Sequence, residues 1–543
     1  MARQYDNIIF DLGDVLFHWD ASTVTALPKK TIRAMMNTTI WLDYERGFLS
    51  PGQAHKLLAT ELKTTPELVA ESLEQAQLTL RPDAEMTDLI LKLAAARTRS
   101  GQAKVRILGL SNIAKDHFIG IQKIQFPWHL FDRIFTSCDT GMRKPDLCIY
   151  QHLIKETGID PARTIFLDDR VENIFAARSL GLRGEVVGRL GPERSQLVRL
   201  LTNLLLPDDT IIRAEGFLRS RAGNHLSEFE GKDLSFRDNF SQLLLWELTG
   251  MEELVYLTWP SRPSPEVSSA SSPVDTISNP DSAVELFLDE SPSSSSQKVK
   301  PATTSSPFWN YFSSQPVLTT NTFPADADTT SIAYLSLPEQ HLSSVVPPSE
   351  AMAAMAANTS ADGIIQVYFS SSRPHTCPVV CVNVLRFFNK FSSTPVETDD
   401  RLKPTVDFVI NSLANRAYVH GSRYYVPEAF LYFAALFYNE CKGTSPGLWG
   451  RLDEHMKGAL LERLRVSAAG NAAALAMRVR ACQVVGLGRE VARGDFEELL
   501  GLQRGEDGGW PAGWFCRMGR TGDAIGNRGL TTGMVLRVLR DWS

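Results

Sequence analysis

Over residues 1–205 short apolar runs alternate with stretches of helical period. Asn7–Asp11, Val105–Ser111, Arg133–Ser137 and Thr164–Asp168 are each brief and nearly continuous in apolar character, the pattern of strands buried on both faces. Helical periodicity fills the intervals, as in Asp146–Glu156 and Val171–Leu180. Strands alternating with helices predict a parallel sheet in a doubly wound α/β domain. Residues from about 20 to 95 interrupt that alternation with mostly helical pattern and read as a cap. Asp11, Ser111 and Asp168 stand at the carboxyl ends of the predicted strands, where such sheets bind their ligands.

From residue 206 onward the pattern is helical. Phe240–Leu248, Val379–Phe391, Pro404–Leu413, Pro427–Tyr438, Pro446–Arg463, Ala468–Val485 and Asp495–Leu502 carry apolar residues at helical spacing, and alternating strand-like runs are scarce. The expectation for 206–543 is an all-α domain, a barrel of helices. Residues 260–307 break it. Ser and Pro make up about half of that segment, which is too little apolar surface to offset the entropy of ordering, so it reads as a disordered linker.

Composition narrows the class. The 543 residues allow about three to four domains, or two large ones. Apolar residues make up 43% and charged residues 22%, ordinary for a globular protein. The net charge of −6 argues against a nucleic-acid binder with a basic footprint. No uninterrupted run approaches the length of a membrane span, and the start lacks the apolar core of a secretory signal. Seven scattered cysteines in so long a chain imply reduced thiols and a cytoplasmic setting. Oligomeric state is not legible.

The first half concentrates groups suited to phosphoryl transfer. A carboxylate such as Asp11 can attack phosphorus, and further carboxylates can hold Mg²⁺, a hard cation that prefers oxygen. Lys144, in Gly-Met-Arg-Lys-Pro-Asp, and Ser111-Asn112 can meet phosphoryl oxygens with charge and hydrogen bonds. Each group alone reads equally as a cap or turn. Together and in order, Asp11-Leu-Gly-Asp-Val, Ser111-Asn112, Lys144 and Phe-Leu-Asp168-Asp169-Arg-Val-Glu172-Asn173 resemble the haloacid dehalogenase-like (HAD) phosphatases, over about residues 5–190. The resemblance implies Asp11 as nucleophile. It places Ser111, Asn112 and Lys144 on the phosphoryl group. It gives Mg²⁺ the ligands Asp11, the Gly13 backbone oxygen, Asp168, Asp169 and Glu172, with Asn173 in support. One departure stands out: the usual acid two residues after the nucleophile is replaced by Gly13, and Asp14 is out of step by one. Without a proton donor, release of an alkoxide is hindered more than release of a phosphate, which biases the site toward diphosphates.

In the second half, Asp326-Ala-Asp328-Thr329-Thr330 precedes an apolar helical run. An isolated motif of this kind reads as a helix N-cap or a metal site. A proton donor there needs burial or a like-charged neighbour to keep its proton. Leu499 to Trp510 contains Gln503, Gly508, Gly509 and Trp510, and it resembles the Gln/Trp motif of triterpene cyclases, in which these residues lock helix ends. The two motifs together resemble the β domain of class II terpene cyclases. That implies Asp328 as the general acid, oriented by Asp326, Thr329 and Thr330. Arg517, Arg520 and Arg528 are candidates to hold a diphosphate, and read equally as a solvated basic face. Trp246, Tyr334, Tyr424, Tyr425, Phe430, Trp510 and Trp514 are candidates to stabilise a carbocation, or else core residues.

A HAD-like domain ahead of this motif resembles the HAD-like sesquiterpene cyclases of fungi and bacteria, which make drimane-type products. The resemblance implies a bifunctional enzyme: protonation-initiated cyclisation of farnesyl diphosphate, then Mg²⁺-dependent dephosphorylation to an alcohol of drimenol or albicanol type. Two other readings stand beside it. In one the HAD-like domain is silent and the product stays a diphosphate; in the other a phosphatase carries a non-catalytic helical module.

Overall fold

The computed structural model describes residues 5–19, 23–97, 101–260, 306–320, 323–468 and 470–542. The Ser/Pro-rich stretch predicted as a disordered linker lies almost wholly outside the described residues. The chain forms two compact units. One comprises 1–212 with 500–506, and the other comprises 213–499 with 507–542. The break thus falls beyond the predicted 205.

In chain order the first unit contains β1 (Asn7–Phe10), β2 (Phe17–His18), α1 (Lys29–Met35), α2 (Thr39–Glu45), α3 (Pro51–Leu62), α4 (Pro66–Leu78), β3 (Arg81–Pro82), α5 (Ala84–Ala95), β4 (Arg106–Ser111), α6 (Lys115–Ile121), β5 (Arg133–Thr136), α7 (Ser137–Thr140), α8 (Leu147–Thr157), β6 (Thr164–Asp168), α9 (Val171–Ser179), β7 (Arg183–Val186) and α10 (Arg194–Leu205). α11 (Pro207–Ser220) follows. The sheet order is β5-β4-β1-β6-β7 with parallel pairing throughout, and Ile9 stands between Leu108 and Phe166. β1 and β6 are buried along their whole length, as continuous apolar runs require. Edge strand β7 was not predicted; Arg-Gly-Glu-Val has too little apolar character to signal a strand.

α1 to α4 form a helical layer with its own core of Ile32, Met35, Trp41, Tyr44, Leu58 and Val69. Their starts are set by local chemistry. Ser50 and Gln53 make a capping box ahead of Pro51, and the Thr65 hydroxyl accepts from Leu68 N ahead of Pro66. α5, inside the predicted cap span, packs instead on β4 and α10 as a sheet-flanking helix. The cap therefore ends with α4.

The second unit continues with β8 (Ser227–Phe229), β9 (Ser235–Phe236), α12 (Asn239–Thr249), α13 (Ala327–Ser336), α14 (Glu339–Leu342), α15 (Pro348–Ala357), α16 (Pro378–Phe391), α17 (Lys403–Ala414), α18 (Pro427–Thr444), α19 (Pro446–Arg463), α20 (Ala472–Val484), α21 (Arg493–Gly501), β10 (Trp514–Arg517), β11 (Ala524–Asn527) and α22 (Arg528–Asp541). Among the described residues, α12, α13, α16, α18, α20 and α22 pack each on the next and close a ring. α12, α18 and α20 are buried on nearly every side, whereas α16 carries Asn383, Arg386 and Lys390 along one face. The unit is mostly helical but not all-α. An antiparallel sheet of order β10-β11-β8-β9 completes it, with strands too short to show alternation in the sequence.

Candidate functional sites

In the first unit, the carboxyl ends of β1, β4 and β6 bring Asp11, Ser111, Asp168 and Asp169 together as predicted. Lys144 Nζ lies 2.9 Å from Asp11 Oδ1 and 2.6 Å from Asp168 Oδ2, and all three side chains are buried. Burial alone would strip the ammonium of its proton; the two carboxylates overcome that and hold its pKa above the usual value. Burial likewise lifts Asp11 to about 7 against the pull of Lys144, with Asp168 and Asp169 adding repulsion. Asp169 rises to about 6, by burial first and then by Asp168 and Asp14.

Carboxylate oxygens of Asp11, Asp168 and Asp169 lie within 4.8 Å of one another. Three acids facing one ammonium leave negative charge that burial penalises, and all the donors are hard oxygens. The set therefore fits a small divalent cation. Asp168 is the most committed of the three. Besides Lys144, its Oδ1 accepts from Arg170 N and Asn173 Nδ2, each at 2.9 Å.

Two predicted roles do not fit the geometry. Glu172 projects from the exposed side of the first turn of α9 and pairs with Arg170 at 2.7 Å, outside the acidic cluster. The Asn112 amide is spent on the Lys144 backbone, donating to its carbonyl and accepting from its N–H, each at 2.8 Å. Asn112 thus sets where Lys144 stands. Ser111 is buried at the end of β4. Gly13 has room for more: a Cβ built there meets nothing within 4 Å, and its φ needs no glycine. The missing acid is therefore not a steric requirement. Asp14, in left-handed conformation at φ 53°, is half exposed and faces His18 at 3.7 Å. The cap is fastened over this end of the sheet from α2. Glu45 pairs with Arg143 at 3.2 Å, its carbonyl accepts from the Ser137 hydroxyl at 2.6 Å, and the Tyr44 hydroxyl donates to Asp116 at 2.7 Å.

The second unit holds a cavity of about 270 Å³. Its floor is buried: Asp326, Asp328, Thr329, Tyr425 and Cys516. Its mouth is cationic, with Arg423, Arg517 and Arg520 exposed and Arg373 half-buried. Tyr311, Phe312, Phe323, Tyr368 and Tyr424 supply aromatic walls.

Asp326 is the N-cap of α13. Its carboxylate accepts from Thr329 N at 2.6 Å and from the Thr329 hydroxyl at 3.0 Å. Capping and a role at the cavity thus coexist. Asp328, in the first turn, is held by Asn383, which the sequence did not flag, and by Tyr425, which it named only as a candidate to stabilise a carbocation or as core. Asn383 Nδ2 on α16 donates to Oδ1 at 2.8 Å, and the Tyr425 hydroxyl donates to Oδ2 at 2.5 Å. Arg386 Nη1 donates to Asn383 Oδ1 at 3.4 Å, which fixes the direction of that amide. Arg386 in turn is buried between Glu440 and Glu247, at 2.9 and 3.2 Å. Burial raises both acids, Asp326 to about 8 and Asp328 to about 6. The predicted orientation by threonines does not hold, since Thr329 bonds Asp326 and the Thr330 hydroxyl accepts from Trp309 N at 3.0 Å.

Arg517 and Arg520 reach the cavity, but Arg528 does not. It grips Asp507 with two bonds of 3.0 Å and donates to the Trp510 carbonyl. Of the aromatic candidates, Tyr424 and Tyr425 line the cavity. Trp246 packs on His341, Tyr334 on Phe387 and Phe430 on Tyr418, all as core, and Trp514 lies on β10. Trp510 Nε1 donates to Leu499 O at 2.6 Å and so closes the end of α21, the locking role its motif implied. In the first unit, Gln503 donates to Thr210 O at 3.2 Å on α11.

Comparison with known proteins finds relatives for both halves of the chain. A model of haloacid dehalogenase-like hydrolases matches residues 5–181, and a model of the sesquiterpene cyclase astC-like C-terminal domain matches residues 211–391. The chain is 32% identical to drimenol cyclase drtB of Aspergillus calidoustus, over 98% of its own length and 87% of the relative's. The chain belongs to the HAD-fused drimane-type sesquiterpene cyclases. Within this cyclase, the first unit resembles sesquiterpene phosphatase astK of Aspergillus oryzae, at 35% identity over 34% of the chain and 90% of the relative. A solved HAD-like hydrolase from Porphyromonas gingivalis covers 36% of the cyclase and 98% of its own chain, at 25% identity and a TM-score of 0.30. The cyclase is an enzyme with a terpene cyclase half and a HAD-like hydrolase half. No helix among its described residues is long and apolar enough to cross a membrane.

Proposed function

We propose that the second unit cyclises farnesyl diphosphate by protonation and that the first then removes phosphate, giving a drimane-type alcohol. The observation that carries this reading is the polarity of the cavity: a buried Asp328 at the floor, its pKa raised by burial, aromatic walls, and arginines at the mouth. A prenyl diphosphate enters tail first, with its anionic head on Arg373, Arg423, Arg517 and Arg520. Asp328 hands its proton to the terminal alkene. The carboxylate left behind keeps the Asn383 and Tyr425 hydrogen bonds, so the developing charge is met by groups already in place. Aromatic faces stabilise the passing cation, and the enclosed walls keep water from intercepting it.

In the first unit, Asp11 attacks the terminal phosphorus of the cyclised diphosphate. The bond to the bridging oxygen breaks, and water later releases the phosphate from Asp11. Lys144 stands 2.9 Å from the attacking carboxylate and is suited to offset charge on the phosphoryl group. Asp11 and Asp169 would hold Mg²⁺, with Asp168 fixing Lys144; the ion supplies Lewis-acid neutralisation of phosphoryl oxygens. Gly13 leaves the alkoxide of the second cleavage without a nearby proton donor, so monoester release is the slower step.

Mass spectrometry of products from farnesyl diphosphate and Mg²⁺, with and without added phosphatase, tests both halves. A bicyclic alcohol without added phosphatase is the expected result. Bicyclic product only after added phosphatase would leave the first unit without its assigned role. No bicyclic product under either condition would refute the cyclase reading.

A further inference from the structure

Cyclisation ends when the cation loses a proton, and chemistry fixes where that loss happens. The argument rests on the cyclase reading above. Once both rings close, the positive charge sits on the tertiary carbon two bonds from the carbon that bears the diphosphate oxygen. The charge therefore finishes at the arginine end of the cavity, away from Asp328. A base is needed there. Among the lining residues, the arginines are cations, while burial raises the hydroxyls of Tyr311, Tyr368, Tyr424 and Tyr425 and the Cys516 thiol and so keeps them protonated. Asp326 is bound to the start of α13 at the floor. His375 remains.

His375 lies beside Arg373, and both line the cavity. Burial, then Arg423 and Arg373, lower its pKa, so the imidazole is neutral and has a lone pair to offer. Its position relative to the acid is set by backbone. Ala327 N, next to Asp328, donates to Val367 O at 2.7 Å, and Val367 N donates to His375 O at 2.7 Å. Asp326 also bridges Tyr368 in antiparallel fashion. The segments that carry the acid and the imidazole are thus tied to one another through a single intervening segment, and both side chains line the same cavity.

We infer that His375 is the base that ends the reaction. A C–H bond next to the cationic carbon breaks, its electron pair becomes the C=C bond, and the proton goes to an imidazole nitrogen. One proton enters from Asp328 and one leaves to His375, so the cyclised diphosphate is an isomer of the substrate. The imidazolium then returns its proton to solvent at the mouth.

The test compares the full-length parent, His375→Ala and His375→Gln on farnesyl diphosphate, with products released by added phosphatase. With the base gone, the cation is captured by water or deprotonated at another neighbour. The expected result in both variants is about a tenfold fall in the parent alkene relative to hydroxylated or isomeric bicyclic products. The parent alkene at the parent rate in either folded variant would overturn the inference and leave the diphosphate as the base. Complete loss of turnover in both folded variants would also overturn it, because a terminating base is not needed to start. If the parent enzyme itself makes no bicyclic product, the cyclase reading fails instead.

Discussion

Asp328 and Gly13 show how much chemistry hangs on single residues. Asp328 must carry a proton to act, and burial places its titration near 6. Raising the pH through that value deprotonates it, so the rate of cyclisation should fall across pH 6 to 8 while the pH profile of dephosphorylation moves independently. Asp328→Asn keeps the shape and loses the acid. Cyclised product should drop by about 10²–10⁴-fold, the usual range for a general acid, with hydrolysis of a diphosphate substrate retained. Gly13→Asp runs the other way. Open space at Gly13 admits the side chain, and the restored acid should raise hydrolysis of a monophosphate ester, by about 10²-fold, in a direct phosphate-release assay. Asp11, Ser111, Lys144, Asp168 and Asp169 were legible in the sequence because each sits at a strand end or in a short motif. Glu172 was misread because spacing does not say which side of α9 faces the metal cluster. Asn383, Arg373 and Arg423 were not legible as site residues, and Tyr425 was named only as an aromatic candidate, because the fold alone brings Asn383 and Tyr425 to Asp328 and the two arginines to the same cavity.

Helices carry the cavity, and buried ion pairs tie them to one another. Glu428 on α18 meets Arg463 on α19 at 2.6 Å and Arg478 on α20 at 2.9 Å, with Glu428 and Arg478 both buried. Burial opposes ionisation of Glu428, and the two guanidiniums overcome it, lowering its pKa. Glu428→Ala leaves the buried Arg478 with Asp495 at 3.4 Å and the Val466 carbonyl only, and should cost about 3 kcal/mol, read as a lower midpoint in thermal or denaturant unfolding. The β10–β11 hairpin forms one cavity wall and contains a glycine with no slack. A Cβ at Gly519 would come within 2.4 Å of the Tyr424 ring. Gly519→Ala should therefore displace that ring and change the ratio of cyclised products more than it changes stability. Seven helices of this unit, and the run that became α13, were readable from their period, with most boundaries within a few residues; α14, α15 and α22 were not named. The hairpin was not readable, because four-residue strands give no alternation to read. Arg528 was assigned to substrate because its partner Asp507 is brought beside it by the fold, not by adjacency in sequence.

At the scale of the whole molecule, two chemistries with different requirements share one chain. Arginines line the cyclase cavity, whereas three clustered carboxylates, a set that fits a divalent cation, mark the hydrolase site. Chelation with EDTA should therefore stop alcohol release while bicyclic diphosphate accumulates, detected after added phosphatase. Asp11→Ala should give the same accumulation with Mg²⁺ present. The sequence showed both halves because each carries a linear motif, but it did not show the polarity of the cavity, which is assembled from residues 311 to 525. That polarity has a further consequence. On the proposed pose, with the anionic head at the arginines and the acid among the buried lining residues, the pocket would work as a ruler. A guest one isoprene unit shorter would leave its last double bond short of the carboxyl group, and one unit longer would have to place its excess elsewhere. Chain length would then be selected by the span between two fixed groups, with no dedicated recognition group.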